Sequence, residues 1–297
     1  MSILLHRHTR VMIQGITGQM GRFSARDMQR YGTTVVAGAV PGRGGQEVDG
    51  IPVYATPREA VEHAKVDATL VYVQPSGILH AAIEAIEQGV KLVVATADEV
   101  PVQDCIEIRA AAKANGADFL GPNSPGIISP GQAKMGFMPS FCYREGDVGV
   151  ISRSGSLSYE VCQRMTRAGI GQSTVIGIGG DPVKGTTAAE ALALFHADPA
   201  TRAVVFLGEI GGVEERTVAE YAARPGAKPV AALIVGRTAP PGKKMGHAAA
   251  LVGSAADTPE AKGRAMRDAG VFVASGLGDI VANVRAAREH AAGPAAR

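Results

Sequence analysis

Residues 10–40 read "RVMIQGITGQMGRFSARDMQRYGTTVVAGAV". A short apolar run (10–14) gives way to a glycine-spaced turn, an amphipathic stretch over 21–32 and a second apolar run at 34–40. Strand, helix and strand in that order make a β-α-β unit. Strands that are apolar throughout belong to parallel sheets, because helices cover both faces. The alternation continues outward. "ATLVYV" (68–73) and "KLVVA" (91–95) read as further strands, with helices over "TPREAVEHA" (56–64) and "GILHAAIEAIEQG" (77–89). Thr56 followed by Pro57 marks a helix start, and Gly89 a stop.

Residues 121–147, "GPNSPGIISPGQAKMGFMPSFCYREGD", interrupt the pattern with four prolines and five glycines. The alternation then restarts. Strands are expected at 148–152, 173–178, 203–208, 229–235 and 271–274, and helices near 156–168, 187–197, 214–223 and 258–269. "GDIVANVRAAREHA" closes the chain as a helix, and the tail "AAGPAAR" (291–297) is expected to fray. The organisation expected is two α/β domains with parallel sheets: 1–125, a crossing at 126–147, and 148–297.

Composition narrows the class. The chain has 297 residues, 46% hydrophobic and 20% charged, which suits a globular protein with a sizeable core. Thirty basic and 28 acidic residues leave a net charge of +2, and the longest basic run is Lys243-Lys244. Neither a nucleic-acid nor a membrane-surface binder is expected from that balance. Cys105, Cys142 and Cys162 are widely spaced and form no C-x-x-C pair, so neither a disulfide framework nor a zinc site is expected. The N-terminal apolar run is too short for a secretory signal and no segment reaches membrane-span length, so a cytoplasmic protein is expected.

In open α/β sheets, ligands bind at the carboxyl ends of the strands, and four segments there are unusual. "QGITGQMG" (14–21) follows the first strand and opens a helix whose free N–H groups suit a phosphate. Its spacing is not G-x-G-x-x-G, and the second strand runs into "VPGRGGQE" with no ribose-binding acid at its end. A phosphate-bearing ligand other than NAD is therefore expected. Arg43, inside Pro-Gly-Arg-Gly-Gly, could offer a two-pronged phosphate contact. "SRSGSLSYE" (152–160) places Ser154, Gly155 and Ser156 at another strand-to-helix junction, where a plain serine cap and an anion site are both open. "LGEIGG" (207–212) lets Glu209 leave its strand among glycines. There it can cap a helix, or hold a histidine by one ring nitrogen and strengthen the other as a nucleophile. "GKKMGH" (242–247) puts His247 at the same sheet end. A histidine, an acid to orient it and a helix N-terminus form a coherent set for phosphoryl transfer through phosphohistidine.

These motifs together resemble the α subunit of succinyl-CoA synthetase (succinate–CoA ligase). "QGITG", "PGRGG", "GPNSPG", "RSGSLSYE", "IGIGGDP", "GEIGG" and "GKKMGHA" match in order over nearly the full length. The resemblance implies a Rossmann-like CoA-binding domain followed by a flavodoxin-like ligase domain. It implies His247 as the phosphohistidine, Glu209 as its orienting acid, and Ser154 and Gly155 as the helix N-terminus that steadies phosphate. Thr17, Gly18, Gln19, Met20 and Arg43 would contact coenzyme A, with Thr96, Ala97 and Asp98 standing at a further coenzyme-contacting stretch. Tyr159, Asn123 and Ser124 would lie on the substrate side. An ATP-grasp β subunit, in an αβ or α₂β₂ assembly, would bind Mg²⁺ with ATP or GTP, and the acid would be succinate or a relative such as malate.

Four departures from the family pattern bear on specificity. Ser124 stands where succinate-specific members usually carry cysteine, "VQPSG" (73–77) and "TAD" (96–98) differ from the usual loops, and Ala249 replaces a glycine. Another NDP-forming acyl-CoA ligase or a non-catalytic CoA-binding relative are the alternative readings. An NAD-dependent dehydrogenase is disfavoured by the missing acid.

Overall fold

A computed structural model describes residues 2–240 and 242–291; the frayed tail expected at 291–297 lies, from 292 on, outside the described residues. The chain forms two compact units. The first holds Leu4–Met138 together with the short segment Val183–Thr186. The second holds Pro139–Pro182 and the chain from Thr187 onward, with the residues before Leu4.

The first unit runs β1 (Arg10–Gln14), α1 (Gln19–Tyr31), β2 (Thr34–Ala39), β3 (Glu47–Val48), β4 (Ile51–Tyr54), α2 (Pro57–Ala64), β5 (Ala68–Val71), α3 (Ile78–Glu87), β6 (Leu92–Ala95), α4 (Val102–Ala114) and β7 (Asp118–Leu120). Its strand order is β3-β4-β2-β1-β5-β6-β7. Every pairing is parallel except β3 with β4. Chain order reverses at β1, whose Gln14 lies opposite Ala39 of β2 on one side and Val71 of β5 on the other. That reversal opens a crevice at the carboxyl end of β1, where the glycine-rich turn begins. Met12, Val71, Val93 and Ala95 pack from the sheet against Ala82, Ile86 and Ile108 of the helices. Thr56 caps α2 by accepting the Glu59 N–H at 3.2 Å, as its position before Pro57 suggests.

Three features escaped the sequence reading. Helix α4 buries Cys105, Ile108 and Ala112, but alanines dilute its apolar stripe until no period stands out. Strands β3, β4 and β7 are short. The stretch expected to be a bare crossing contains a hairpin, β8 (Gly126–Ser129) and β9 (Ala133–Gly136), both strands of which are buried along their length. Lys134 fastens it: the backbone exchanges hydrogen bonds with Thr33 Oγ1 at 2.9 Å, and the ammonium pairs with Asp27 and donates to the Met138 carbonyl at 2.9 Å. A buried lysine satisfied this way reads from sequence as a surface residue.

The second unit contains β10 (Glu145–Ser152), α5 (Gly155–Arg167), β11 (Gln172–Gly177), α6 (Ala188–Ala197), β12 (Ala203–Glu209), α7 (Glu214–Ala222), β13 (Val230–Val235), α8 (Pro259–Asp268), β14 (Phe272–Val273) and α9 (Ile280–Ala291). Its strands lie in the order β14-β13-β12-β10-β11 and run parallel. Order reverses at β10, which pairs with β11 and β12, so the carboxyl ends of β10 and β12 form the second crevice. Among the described residues no helix is long and apolar enough to cross a membrane.

Candidate active site

The parallel sheet of the second unit delivers its loops to one end. Strand β12 is buried along its whole length and ends on Glu209. From the loop after β13, His247 reaches back so that its Nδ1 lies 2.8 Å from Glu209 Oε2. The sequence had placed both residues at this end, and the structure joins them directly. The hydrogen bond to Glu209 raises the proton affinity of His247 above the ordinary histidine value of 6.5, burial works against it, and Arg153 opposes it while Asp181 adds to it. With Nδ1 held by the carboxylate, Nε2 is the nitrogen left for chemistry. The imidazole lies directly against Gly180, where any Cβ would overlap its Cγ and Nδ1. The Ala249 N–H donates to the Gly180 carbonyl at 3.4 Å, tying the histidine loop to the β11 turn.

Beneath Glu209 lies a buried network. Arg153, the residue after β10, is 1% exposed, and its Nη2 stands 2.9 Å from Glu209 Oε1. The approach is an ion pair too bent for a hydrogen bond. Arg153 Nη1 donates to the Gly211 carbonyl at 2.9 Å and to Glu215 Oε1 at 3.2 Å. Glu215 Oε1 also accepts the Glu209 N–H at 3.0 Å, and its Oε2 accepts from Lys262 Nζ at 2.6 Å. Lys262 donates further to the carbonyls of Gly211 at 2.6 Å and Glu209 at 3.1 Å. Two acids and two bases balance, which is what buried charge requires. Arg153, Glu215, Lys262 and Gly180 were not foreseen as site residues. Arg153 and Gly180 stand inside the motifs "RSGSLSYE" and "IGIGGDP", while Glu215 and Lys262 lie in charged helices that carry no such signal.

Ser154 caps α5, its Oγ accepting the Leu157 N–H at 3.4 Å. The amides of Gly155 and Ser156 fall in the first turn, where no intrahelical acceptor exists. Tyr159 sits one turn further on, half-buried, its hydroxyl pushed up to about 12 by burial and by Cys142.

In the first unit, Gly18 is the N-cap of α1 with no side-chain cap, so the helix amides face outward uncovered. Thr17 is half-buried, and Gly18, Gln19 and Met20 are exposed. Gly15 has φ +78 and a Cβ there would overlap the Tyr72 carbonyl; a Cβ on Gly21 would overlap the Gly15 carbonyl. The turn thus closes on itself only because these positions lack side chains. Arg43 is exposed in its turn after β2. Thr96, Ala97 and Asp98 leave the end of β6. Thr96 Oγ1 donates to the Val71 carbonyl at 3.4 Å, and the Ala97 carbonyl accepts the Asn123 N–H at 2.7 Å. Ser124 is buried, its N–H on the Ala95 carbonyl at 3.3 Å and its Oγ accepting from the Gly126 N–H at 3.0 Å.

Fold and motifs together place the chain in a class. The CoA binding domain family matches residues 6–98 and the CoA-ligase family matches residues 151–272, so the chain is a ligase of the CoA-handling type. A succinate–CoA ligase [ADP-forming] subunit alpha 1 from Archaeoglobus fulgidus is 48% identical over 284 residues, covering 96% of this chain and 97% of that one. The corresponding α subunit from Aquifex aeolicus is 44% identical over 289 residues, covering 96% and 95%. The chain belongs to the succinate–CoA ligase α-subunit family. Among solved structures, an ATP citrate lyase from Methanothrix soehngenii in complex with citrate and coenzyme A superposes with a TM-score of 0.87 at 23% identity, over 97% of this chain. This chain spans 51% of that protein's length, and the likeness is one of fold.

Proposed function

We propose that this chain is the α subunit of a nucleotide-dependent acyl-CoA ligase in which His247 carries a phosphoryl group between a nucleotide and a small carboxylic acid. The observation that supports it most is the 2.8 Å contact of His247 Nδ1 with Glu209, which leaves Nε2 as the lone-pair nitrogen. In this reading Nε2 attacks the terminal phosphorus of a nucleoside triphosphate. The N–P bond forms as the bond to the diphosphate oxygen breaks, and the diphosphate departs with that electron pair. Nδ1 keeps its proton towards Glu209, whose charge balances the ring while it bears the phosphoryl group. The N-terminus of α5, with Ser154 and Gly155, suits the two negative charges that the group brings. A carboxylate oxygen of the acid then attacks phosphorus, returning the electron pair to Nε2 and yielding an acyl phosphate. The thiol of coenzyme A attacks the acyl carbon, phosphate leaves, and the thiol proton goes to it.

Coenzyme A is thus a substrate. The uncapped α1 N-terminus, the turn at Thr17, Gly18, Gln19 and Met20, and the exposed Arg43 fit its phosphates, with Thr96, Ala97 and Asp98 at the end of β6, two strands along from β1. Asn123, Ser124 and Tyr159 are the proposed acid-side residues. Mg²⁺ and ATP or GTP are assigned to an ATP-grasp β subunit. Succinate is the acid by likeness to the relatives' names, with malate as the neighbouring candidate.

The test is incubation of the assembled α–β complex with Mg-ATP or Mg-GTP, followed by mass spectrometry for acid-labile phosphate. Phosphate on His247, discharged by coenzyme A with one acid of a panel and absent in His247→Asn, supports the proposal. A competent complex that ligates acid to coenzyme A without phosphate at His247 refutes it.

A further inference from the structure

We propose that Arg153 is a positioning residue: its guanidinium fixes which oxygen of Glu209 faces His247, and through it which nitrogen of the ring holds the proton. This rests on the phosphohistidine reading above and names the residue that prepares its nucleophile.

The geometry argues it in three steps. Arg153 Nη2 stands 2.9 Å from Glu209 Oε1, so Oε2 is the oxygen left for His247 Nδ1 at 2.8 Å. An ionised carboxylate only accepts hydrogen bonds, so Nδ1 must be the donor and Nε2 must carry the lone pair. A buried carboxylate stripped of its cation is instead stabilised by taking up a proton. Protonated, Glu209 would donate to Nδ1 and force the ring's own proton onto Nε2, where it blocks attack on phosphorus.

The rest of the network determines where the guanidinium sits. Glu215 holds Arg153 Nη1 at 3.2 Å and the Glu209 N–H at 3.0 Å through one oxygen, and Lys262 at 2.6 Å through the other. A buried arginine usually aligns its N–H groups on acceptors. Here neither Nε nor Nη2 makes a hydrogen bond among the described residues, although Nη2 lies against a carboxylate oxygen. The contact therefore places charge beside Glu209 rather than completing a hydrogen-bonded scaffold. Asp181 and Gly180 approach His247 from the turn after β11, so Arg153 is the cation that opposes two acids around the ring.

The decisive readout is the tautomer of His247, which a role in packing alone would not move. The full chain is labelled with ¹⁵N-histidine, and the His247 ring signals are assigned by their loss in His247→Asn. The parent should show a protonated Nδ1 and a bare Nε2 above the titration of the ring. In Arg153→Met the bare-nitrogen signal should pass to Nδ1 in most molecules. Phosphorylation of the assembled complex should fall by at least about tenfold with the nucleotide KM unmoved. Arg153→Lys, which keeps the charge, should retain the parent tautomer. Glu209→Gln with Arg153→Met should phosphorylate no more slowly than Glu209→Gln alone.

A folded Arg153→Met with the parent tautomer overturns the proposal, as does an undiminished Arg153 effect in the Glu209→Gln background. Should Arg153→Met not fold, Arg153→Lys decides: a folded lysine variant with the proton on Nε2 overturns it. If the parent shows the expected tautomer while no phosphate ever forms on His247, the functional reading fails and the positioning role stands.

Discussion

Gly180→Ala adds one methyl group at the most crowded point against the histidine. The new Cβ would lie 2.7 Å from His247 Cδ2 and closer still to Cγ and Nδ1. Carbon atoms rest at about 3.5–4.0 Å, so the ring must retreat by about 1 Å. A retreat of that size, directed away from Glu209, carries Nδ1 from 2.8 Å to about 3.8 Å from Glu209 Oε2, past hydrogen-bond reach. The bond lost is charge-assisted, worth about 1.5–3 kcal/mol when formed. Misplacement of a reacting group by about 1 Å costs roughly a hundredfold in rate. The displaced residue belongs to a loop rather than to the sheet, so the fold should lose no more than that one bond, about 1.5–3 kcal/mol. Phosphorylation of the assembled complex followed by rapid quench, beside a thermal melt, separates the two. The expected result is a rate reduced by about a hundredfold, with the melting temperature lowered by no more than the loss of that one bond accounts for. A phosphorylation rate within threefold of the parent would refute the reasoning, because the ring would then not need its place against Gly180.

Glu209→Gln removes the group that raises the proton affinity of His247, so its phosphorylation–pH curve should shift to lower pH while the plateau rate falls; curves with a common midpoint would exclude the coupling. The sign for stability follows from the same raised affinity: the histidine's contribution is fully present below its unfolded value of 6.5 and is lost as pH rises through the higher folded value. Denaturant titrations across that window should show parent and Glu209→Gln converging on the alkaline side. Arg43→Ala should weaken coenzyme A binding by about tenfold, one charge-assisted contact, and flatten its salt dependence in calorimetric titration. Ser154→Ala removes a long cap of 3.4 Å, so it should cost about 0.5–1 kcal/mol in a melt and slow phosphorylation by more than that loss explains.

Much of the fold was legible because its strands are buried on both faces. The apolar runs at 10–14, 68–73 and 203–208 need no partner to be recognised, and each forms a strand where expected. Helix α4 was not legible, since alanines provide its packing where leucine or isoleucine would have drawn a period. The hairpin at 126–136 hid behind Pro130 and Gly131, and the buried Lys134 looked like a solvent residue. At the site, His247 and Glu209 could be associated from topology alone, because parallel strands send every following loop to one end of the sheet. Arg153 and Glu215 are 62 positions apart, and Glu215 and Lys262 are 47. No local pattern joins them, and their pairing follows only from how the end of β10, the start of α7 and α8 come together.

The two halves of the acid–histidine pair are held very differently, and the proposed chemistry requires that difference. Glu209 ends a buried strand and is gripped at its N–H by Glu215, at its carbonyl by Lys262 and at its carboxylate by Arg153. His247 stands on a loop closed by local backbone bonds, Met245 N–H to the Ala250 carbonyl at 2.9 Å and Ala250 N–H to the His247 carbonyl at 3.1 Å. Its one side-chain hydrogen bond among the described residues is the one to Glu209. A residue that receives a phosphoryl group from one substrate and gives it to another must keep a defined tautomer yet be free to turn its reactive nitrogen. A fixed acid supplies the first requirement, and a ring carried on a loop and held by one side-chain hydrogen bond the second. Stiffening the loop, for instance with proline at Ala248, should therefore slow discharge to the acid as much as loading from the nucleotide. Were Glu209 the mobile partner instead, the four-charge network beneath it would have no role in the reaction, and substitutions there would change the melting temperature alone.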